Sequence, residues 1–260
     1  LEGSDGWVAV SLARDEDVVA VPAWLEADLD PTDPIAMERE IRRHPVAALV
    51  ERAILLGLPC SALGEVTAPR LPAHRLGDAP PTVSLDGLVV VDLSSLWAGP
   101  LCSRLLAAAG ARVVKVESTT RPDGARRGPR EFFELMNAGK ESVMLDLSGR
   151  DGRDELARLI RSADVVIEAS RPRALQQMGI DATAFPGRVW LSITSHGRDQ
   201  PMRVGFGDDA AVAGGLVAYD DHGPVFAADA AADPITGLMG AVAVLDRLAG
   251  GGRWMVDLAL

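Results

Sequence analysis

Between Leu88 and Ser118 the chain reads LVVVDLSSLWAGPLCSRLLAAAGARVVKVES, and this stretch constrains the fold most. Leu88 to Val91 is an apolar run rich in β-branched residues, suited to a strand buried on both faces. Asp92, Ser94 and Ser95 can close that strand by bonding local backbone groups. Ala98, Gly99 and Pro100 open a helix, with proline suited to a first turn. The helix runs through Leu101, Leu105 and Leu106 to Gly110, a natural left-handed stop. Arg112 to Glu117 makes the next strand. The unit is βαβ, so the local sheet is expected to be parallel. Ligands of such sheets bind in the crevice at the strand carboxyl ends. The turn there, Ser94 to Pro100, has neither G-x-G-x-x-G nor a Walker pattern, which argues against a dinucleotide pyrophosphate.

The same alternation continues downstream. Strands are expected at Ser142 to Leu147, Asp164 to Glu168, Val189 to Thr194 and Trp254 to Leu258. Helices are expected at Glu131 to Asn137, Arg150 to Ser162, from Pro172 to Gly179, Asp208 to Val217 and Ile235 to Leu248. The expected fold class is α/β, an open doubly wound and mainly parallel Rossmann-like sheet. Residues 1–79 differ. They read as a small α+β segment: a strand over Gly6 to Leu12, a short helix within Asp15 to Leu29, and a helical stretch over Asp33 to Gly57 broken at Pro45. Residues 64–84, rich in proline and small residues, read as a linker. The expected domains are therefore 1–79 and 80–260.

Composition narrows the function. The 260 residues carry a net charge of −11, which disfavours a nucleic-acid partner. No apolar stretch reaches the ~20 residues of a membrane span. Position 1 is Leu and LEGSDGWVAV has no signal-peptide pattern, so a trimmed or partial cytoplasmic chain is expected. Its two cysteines, Cys60 and Cys102, sit in apolar surroundings as buried free thiols. The four histidines are scattered without metal-ligand spacing, so no metal is expected. The loop at 119–130 carries arginines 121, 126, 127 and 130, which suit a solvated loop or a phosphate or carboxylate contact.

Six segments, VVDLSSLWAGP (90–100), GARVVKVE (110–117), LMNAGKESVMLDL (135–147), ADVVIEASRPRALQQMG (163–179), VWLSITSHG (189–197) and ADPITGL (232–238), together resemble the family III CoA-transferases. That group includes formyl-CoA and carnitine CoA-transferases and the α-methylacyl-CoA racemases. The resemblance implies an acyl-CoA:carboxylate CoA-transferase with coenzyme A as substrate and no tightly bound cofactor. It implies a carboxylic acid acceptor and an interlocked homodimer. It makes Asp233 the catalytic carboxylate, acting through a covalent aspartyl-CoA intermediate. By its residues alone Asp233 reads first as an N-cap before a helix begun by Pro234, and the resemblance is what turns the reading to catalysis. An ionised aspartate needs no general base to act as nucleophile. The expected coenzyme A contacts are Ser94, Ser95, Leu96, Trp97 and Ala98, then Val116, Glu117 and Ser118, and finally Ala169, Ser170, Pro172 and Met178, the last beside the adenine.

Residues 1–79 resemble the family's small second domain, here ahead of the large one, which implies a permuted arrangement or a fragment of a two-half protein. Departures from the family pattern stand at Trp97, Ser118 and Ala169-Ser170. One alternative is a racemase, which needs a histidine opposite the aspartate; residues 204–215 read VGFGDDAAVAGG and hold none, against two-base proton transfer. Another is a catalytically silent, coenzyme A-binding half of a larger protein.

Overall fold

The computed structural model describes residues 1–67, 71–170 and 172–260, without the side chains of residues 172 and 173. In chain order the elements are β1 (Val8–Val10), α1 (Asp15–Leu25), α2 (Pro34–Ile41), α3 (Val46–Leu56), β2 (Cys60–Ala62), β3 (Ala73–Gly77), β4 (Val89–Asp92), α4 (Ala98–Ala108), β5 (Arg112–Ser118), α5 (Arg130–Asn137) and β6 (Glu141–Leu145). Then come α6 (Arg150–Ser162), β7 (Val165–Glu168), α7 (Pro172–Gln177), β8 (Val189–Thr194), α8 (Gly207–Ala213), β9 (Val217–Asp220), β10 (Gly223–Phe226), α9 (Ala232–Gly250) and β11 (Arg253–Ala259). They form two compact units, Leu1–Pro69 with Asp199–Asp233 and Leu260, and Arg70–Arg198 with Pro234–Ala259.

The larger unit is built on a seven-stranded sheet of order β3-β11-β8-β7-β4-β5-β6. All neighbours are parallel except the edge pair β3 and β11. The chain runs outward from β4 to β6, then returns to β7 on the other side of β4. Strand order therefore reverses between β4 and β7, where such sheets bind ligands at their carboxyl ends. Val90, Val91, Val165, Val166 and Leu191 are buried, as continuous apolar strands of a covered parallel sheet should be. One core face joins Val91, Val114, Val116, Leu156, Ile160, Phe185 and Trp190. Leu156 and Ile160 lie four apart on α6, one face of a helix.

The smaller unit packs Val8, Val21, Trp24, Leu25, Ile41, Leu49 and Leu58 into a core of its own. Asp33 caps α2 by accepting the N–H groups of Ile35 at 3.0 Å and Ala36 at 3.1 Å, with Pro34 opening the helix. Pro45 precedes α3 and Gly57, at φ 70°, ends it. Strands β1 and β2, with α1, α2 and α3 between them in the chain, pair antiparallel.

Four expectations change. Residues 64–84 are not all linker: Ala73–Gly77 is an edge strand, pairing Met255 with His74 and Val256 with Ala73. None of its residues is buried, and an edge strand needs little apolar patterning. The helix expected over Asp208 to Val217 ends at Ala213, and a β9–β10 hairpin follows. The compact units also depart from the division at residues 79 and 80, because Asp199–Asp233 groups with the N-terminal segment. Backbone bonds from Gly64 to Val212 at 2.9 Å and from Val66 to Ala213 at 3.0 Å tie them, as does the Arg203–Glu65 ion pair at 2.5 Å. Finally, α9 begins at Ala232, so Asp233 is the second residue of the helix rather than its cap.

Candidate functional site

At the carboxyl end of β4 the chain turns on a set of buried charges. Asp92 is fully buried. It accepts the Ser94 N–H at 3.0 Å and the Ser94 hydroxyl on Oδ1, and the Ser103 hydroxyl at 2.5 Å and Lys140 Nζ at 3.1 Å on Oδ2. Lys140 also donates to the Pro100 carbonyl and to Asn137 Oδ1, both at 2.9 Å. Burial pushes the Asp92 carboxyl up, but the Lys140 and Lys115 ammoniums and the Ser103 and Ser94 hydroxyls together hold the group below the ordinary carboxylate range. Gly99 is required here, since a β-carbon on it would overlap the Ser94 side chain.

Of the turn residues, Ser94 is buried while Ser95 and Leu96 are exposed. Trp97 meets Phe132 edge-on at 5.2 Å. Ala98 is buried as the first residue of α4. Next to it in space, Gly237 of α9 is so close that a β-carbon would fall 2.8 Å from the Ala98 carbonyl oxygen and 3.0 Å from Leu101.

On neighbouring β5, Val116 points into the core. The Glu117 carboxylate takes a forked pair of bonds from Arg126, at 2.9 and 2.7 Å, and the Asp123 N–H at 2.8 Å. The Arg126 bonds first, with help from the backbone, hold Glu117 below the ordinary range against its burial. A ligand at these two residues would meet backbone rather than side chain. Ser118 shares its hydroxyl with Thr120 at 3.0 Å. In the arginine loop, Arg126 is thus committed to Glu117 and stacks over Phe133 at 4.1 Å, Arg130 pairs with Glu134 at 2.5 Å, and Arg121 and Arg127 are exposed.

Across the switch point, β7 ends in Glu168, also fully buried. Its carboxylate accepts from Ser192 Oγ at 2.6 Å and from Ser170 N, Ser170 Oγ and Arg198 Nη1, each at 3.0 Å. Burial still pushes the Glu168 carboxyl up. Ala169 is exposed and Ser170 half-buried. Met178 packs partly against the core. The contact expected at the Pro172 side chain, and Arg171 in the turn before it, lie outside the described residues.

Asp233 belongs to the other unit and stands in the first turn of α9, where the helix dipole favours an anion. It is half-buried. Its N–H bonds to the Ala230 carbonyl at 2.9 Å. Ala230 has φ 44°, an uncommon value for a side chain, and its N–H is held by Asp208 Oδ1 at 2.8 Å. Gly207 opens α8 beside them, with no room for a β-carbon against Asp233 Oδ2.

Comparison with known proteins names the group. The model of CoA-transferase family III matches residues 85–256. The chain belongs to CoA-transferase family III. Family III relatives include an acyl-CoA transferase of Fusarium pseudograminearum, 31% identical over 64% of this chain and 41% of that one. Another is the succinate–glutarate CoA-transferase of Agrobacterium fabrum, 30% identical over 68% of this chain and 50% of that one. A solved CAIB/BAIF family protein from Brucella suis superposes with a TM-score of 0.62 at 31% identity, over 67% of this chain and 52% of that one. The chain spans about half the length of the curated relatives it matches. Strands β4 to β8 of the sheet and Asp233 fall within the family III match, and β3 lies before it.

Lys115, Asp123 and Lys140 escaped the sequence reading. Their one signal was a lysine inside the apolar strand RVVKVES, since lysine is almost never fully buried unless paired. Among the described residues no cluster of His, Cys, Asp and Glu is arranged to hold a metal, and no helix is long and apolar enough to cross a membrane.

Proposed function

We propose that this chain carries the coenzyme A-binding sheet and the nucleophile of an acyl-CoA:carboxylate CoA-transferase. The family match across a helix-borne Asp233 is the observation that carries the reading. Relatives named as CoA-transferases for succinate, glutarate and citramalate support the substrate class: a CoA thioester and a carboxylic acid.

In the proposed reaction an Asp233 oxygen attacks the donor thioester carbonyl, giving a mixed anhydride and releasing CoA thiolate. The thiolate attacks the Asp233 carbonyl and expels the donor carboxylate, leaving an aspartyl-CoA thioester. The acceptor carboxylate attacks that carbonyl and again frees CoA thiolate. The thiolate then takes the acceptor acyl group from the new anhydride and returns Asp233 as carboxylate. Each step exchanges one acyl bond for another, as nucleophilic catalysis requires. No proton need move in any of these steps. The exposed turn residues Ser95 and Leu96, with Trp97, and the Ala169–Ser170 turn are proposed to hold coenzyme A. A homodimer completes the reading.

Incubation with acyl-CoA followed by hydroxylamine or borohydride tests it. Mass spectrometry should find the modification on the Asp233 peptide. The half-length span favours one second reading, a silent coenzyme A-binding half. Coenzyme A binding with no label on Asp233 and no turnover would select that reading.

A further inference from the structure

The turn after β4 is bent against its own backbone preference. Leu96 has φ 69°, in the left-handed region that glycine enters freely and leucine does not. Two buried charges hold it there. Asp123 Oδ1 accepts the Leu96 N–H at 2.9 Å. Lys115 Nζ donates to the Ser94 carbonyl at 2.9 Å. The two side chains pair with each other at 2.8 Å and are 0% and 1% exposed. Together they grip the turn on either side of Ser95. Asp123 is itself anchored, through its N–H on Glu117 and its Oδ1 on the Ala125 N–H at 2.9 Å.

A buried ion pair is a poor source of stability, because desolvation offsets its attraction. Backbone strain of this kind persists only where the surroundings impose it, and it clusters at ligand sites. Here the pair enforces a strained shape on a turn whose outward residues, Ser95 and Leu96, are exposed at the switch point. We propose that Asp123 is a positioning residue for coenzyme A binding: with Lys115 it holds the Ser94–Trp97 turn in the shape the ligand needs, without touching the ligand. The proposal rests on the transferase reading.

The test exploits glycine at position 96, which reaches φ 69° without being held. Coenzyme A affinity is measured by calorimetry for the wild-type chain, D123A, D123N, L96G and the two double variants. D123A should weaken binding by about tenfold or more with its circular dichroism unchanged. D123N, which keeps an acceptor for the Leu96 N–H and loses the charge, should fall between. L96G removes a side chain proposed to hold coenzyme A and so sets a baseline of its own; adding D123A to it should cost little more than that baseline, the non-additivity expected of coupled residues. An Asp123 needed only for general stability would weaken both backgrounds equally, and that result overturns the proposal. So does wild-type affinity in D123A. Should D123A not fold, D123N with and without L96G makes the same comparison, and equal losses again overturn it. A wild-type chain that binds no coenzyme A fails the transferase reading itself, a different result from binding that ignores Asp123.

Discussion

Gly207, the first residue of α8, and Asp233, the second residue of α9, approach so closely that a β-carbon on the glycine would overlap the Asp233 carboxylate. The position needs glycine for space, since its φ is not left-handed. Alanine normally improves a helix over glycine by about 1 kcal/mol. Here Gly207→Ala should do the reverse, because it also meets the Ala230 carbonyl. Overpacking costs about 1–3 kcal/mol. Turnover should fall more than the loss of folded protein explains; a thermal melt beside an acyl-CoA transfer assay checks both.

Asp233→Asn should abolish turnover, since an amide cannot form the anhydride. Loss of the charge in the first turn of α9 should also cost about 0.3–1 kcal/mol of stability in urea titration through the charge–dipole contribution. Wild-type turnover in the Asn variant would remove Asp233 from the mechanism.

Lys140→Met leaves Asp92 a buried carboxylate with its serine partners and the Lys115 charge but no ammonium bonded to it. Breaking a buried pair from one side costs about 3–5 kcal/mol, and urea unfolding should register a loss of that size. A loss under about 1 kcal/mol would mean the Lys140–Asp92 bond is not formed in solution.

Asp209 gives stability a pH dependence of unusual sign. It is fully buried, its Oδ1 accepts from Ser11 Oγ and the Phe206 N–H at 2.8 Å each, and its Oδ2 has no hydrogen-bond partner among the described residues. Burial pushes its carboxyl up to about 6. A raised carboxyl binds its proton more tightly folded than unfolded, so its stabilisation is full below about pH 4 and is lost as pH rises through about 6. Relative to Asp209→Asn, wild type should lose on the order of 2–3 kcal/mol between pH 4 and pH 7. Parallel curves for the two proteins would contradict the raised value.

The sequence alone determined the framework of the larger unit. Helix α6 and strand β8 have the bounds read from periodicity, and β4, α4 and β5 lie within a residue or two of theirs. Apolar spacing of 3.6 or 2 and runs of Val and Ile are local records of which face is covered, so they survive in the linear chain. Motif order likewise carried the family. Tertiary structure alone decided the rest. Edge strand β3 has no buried face to leave a pattern, and its pairing depends on β11, almost 180 residues on. Asp233 moved from cap to helix interior because the loop before it is held by Asp208, which only folding brings near. Lys115 reads as an anomaly until the chain turns back to set Asp123 against it, and Asp92 meets Lys140 from 48 positions away. Charge pairs of this kind are made between elements, and the sheet topology sets which charges meet.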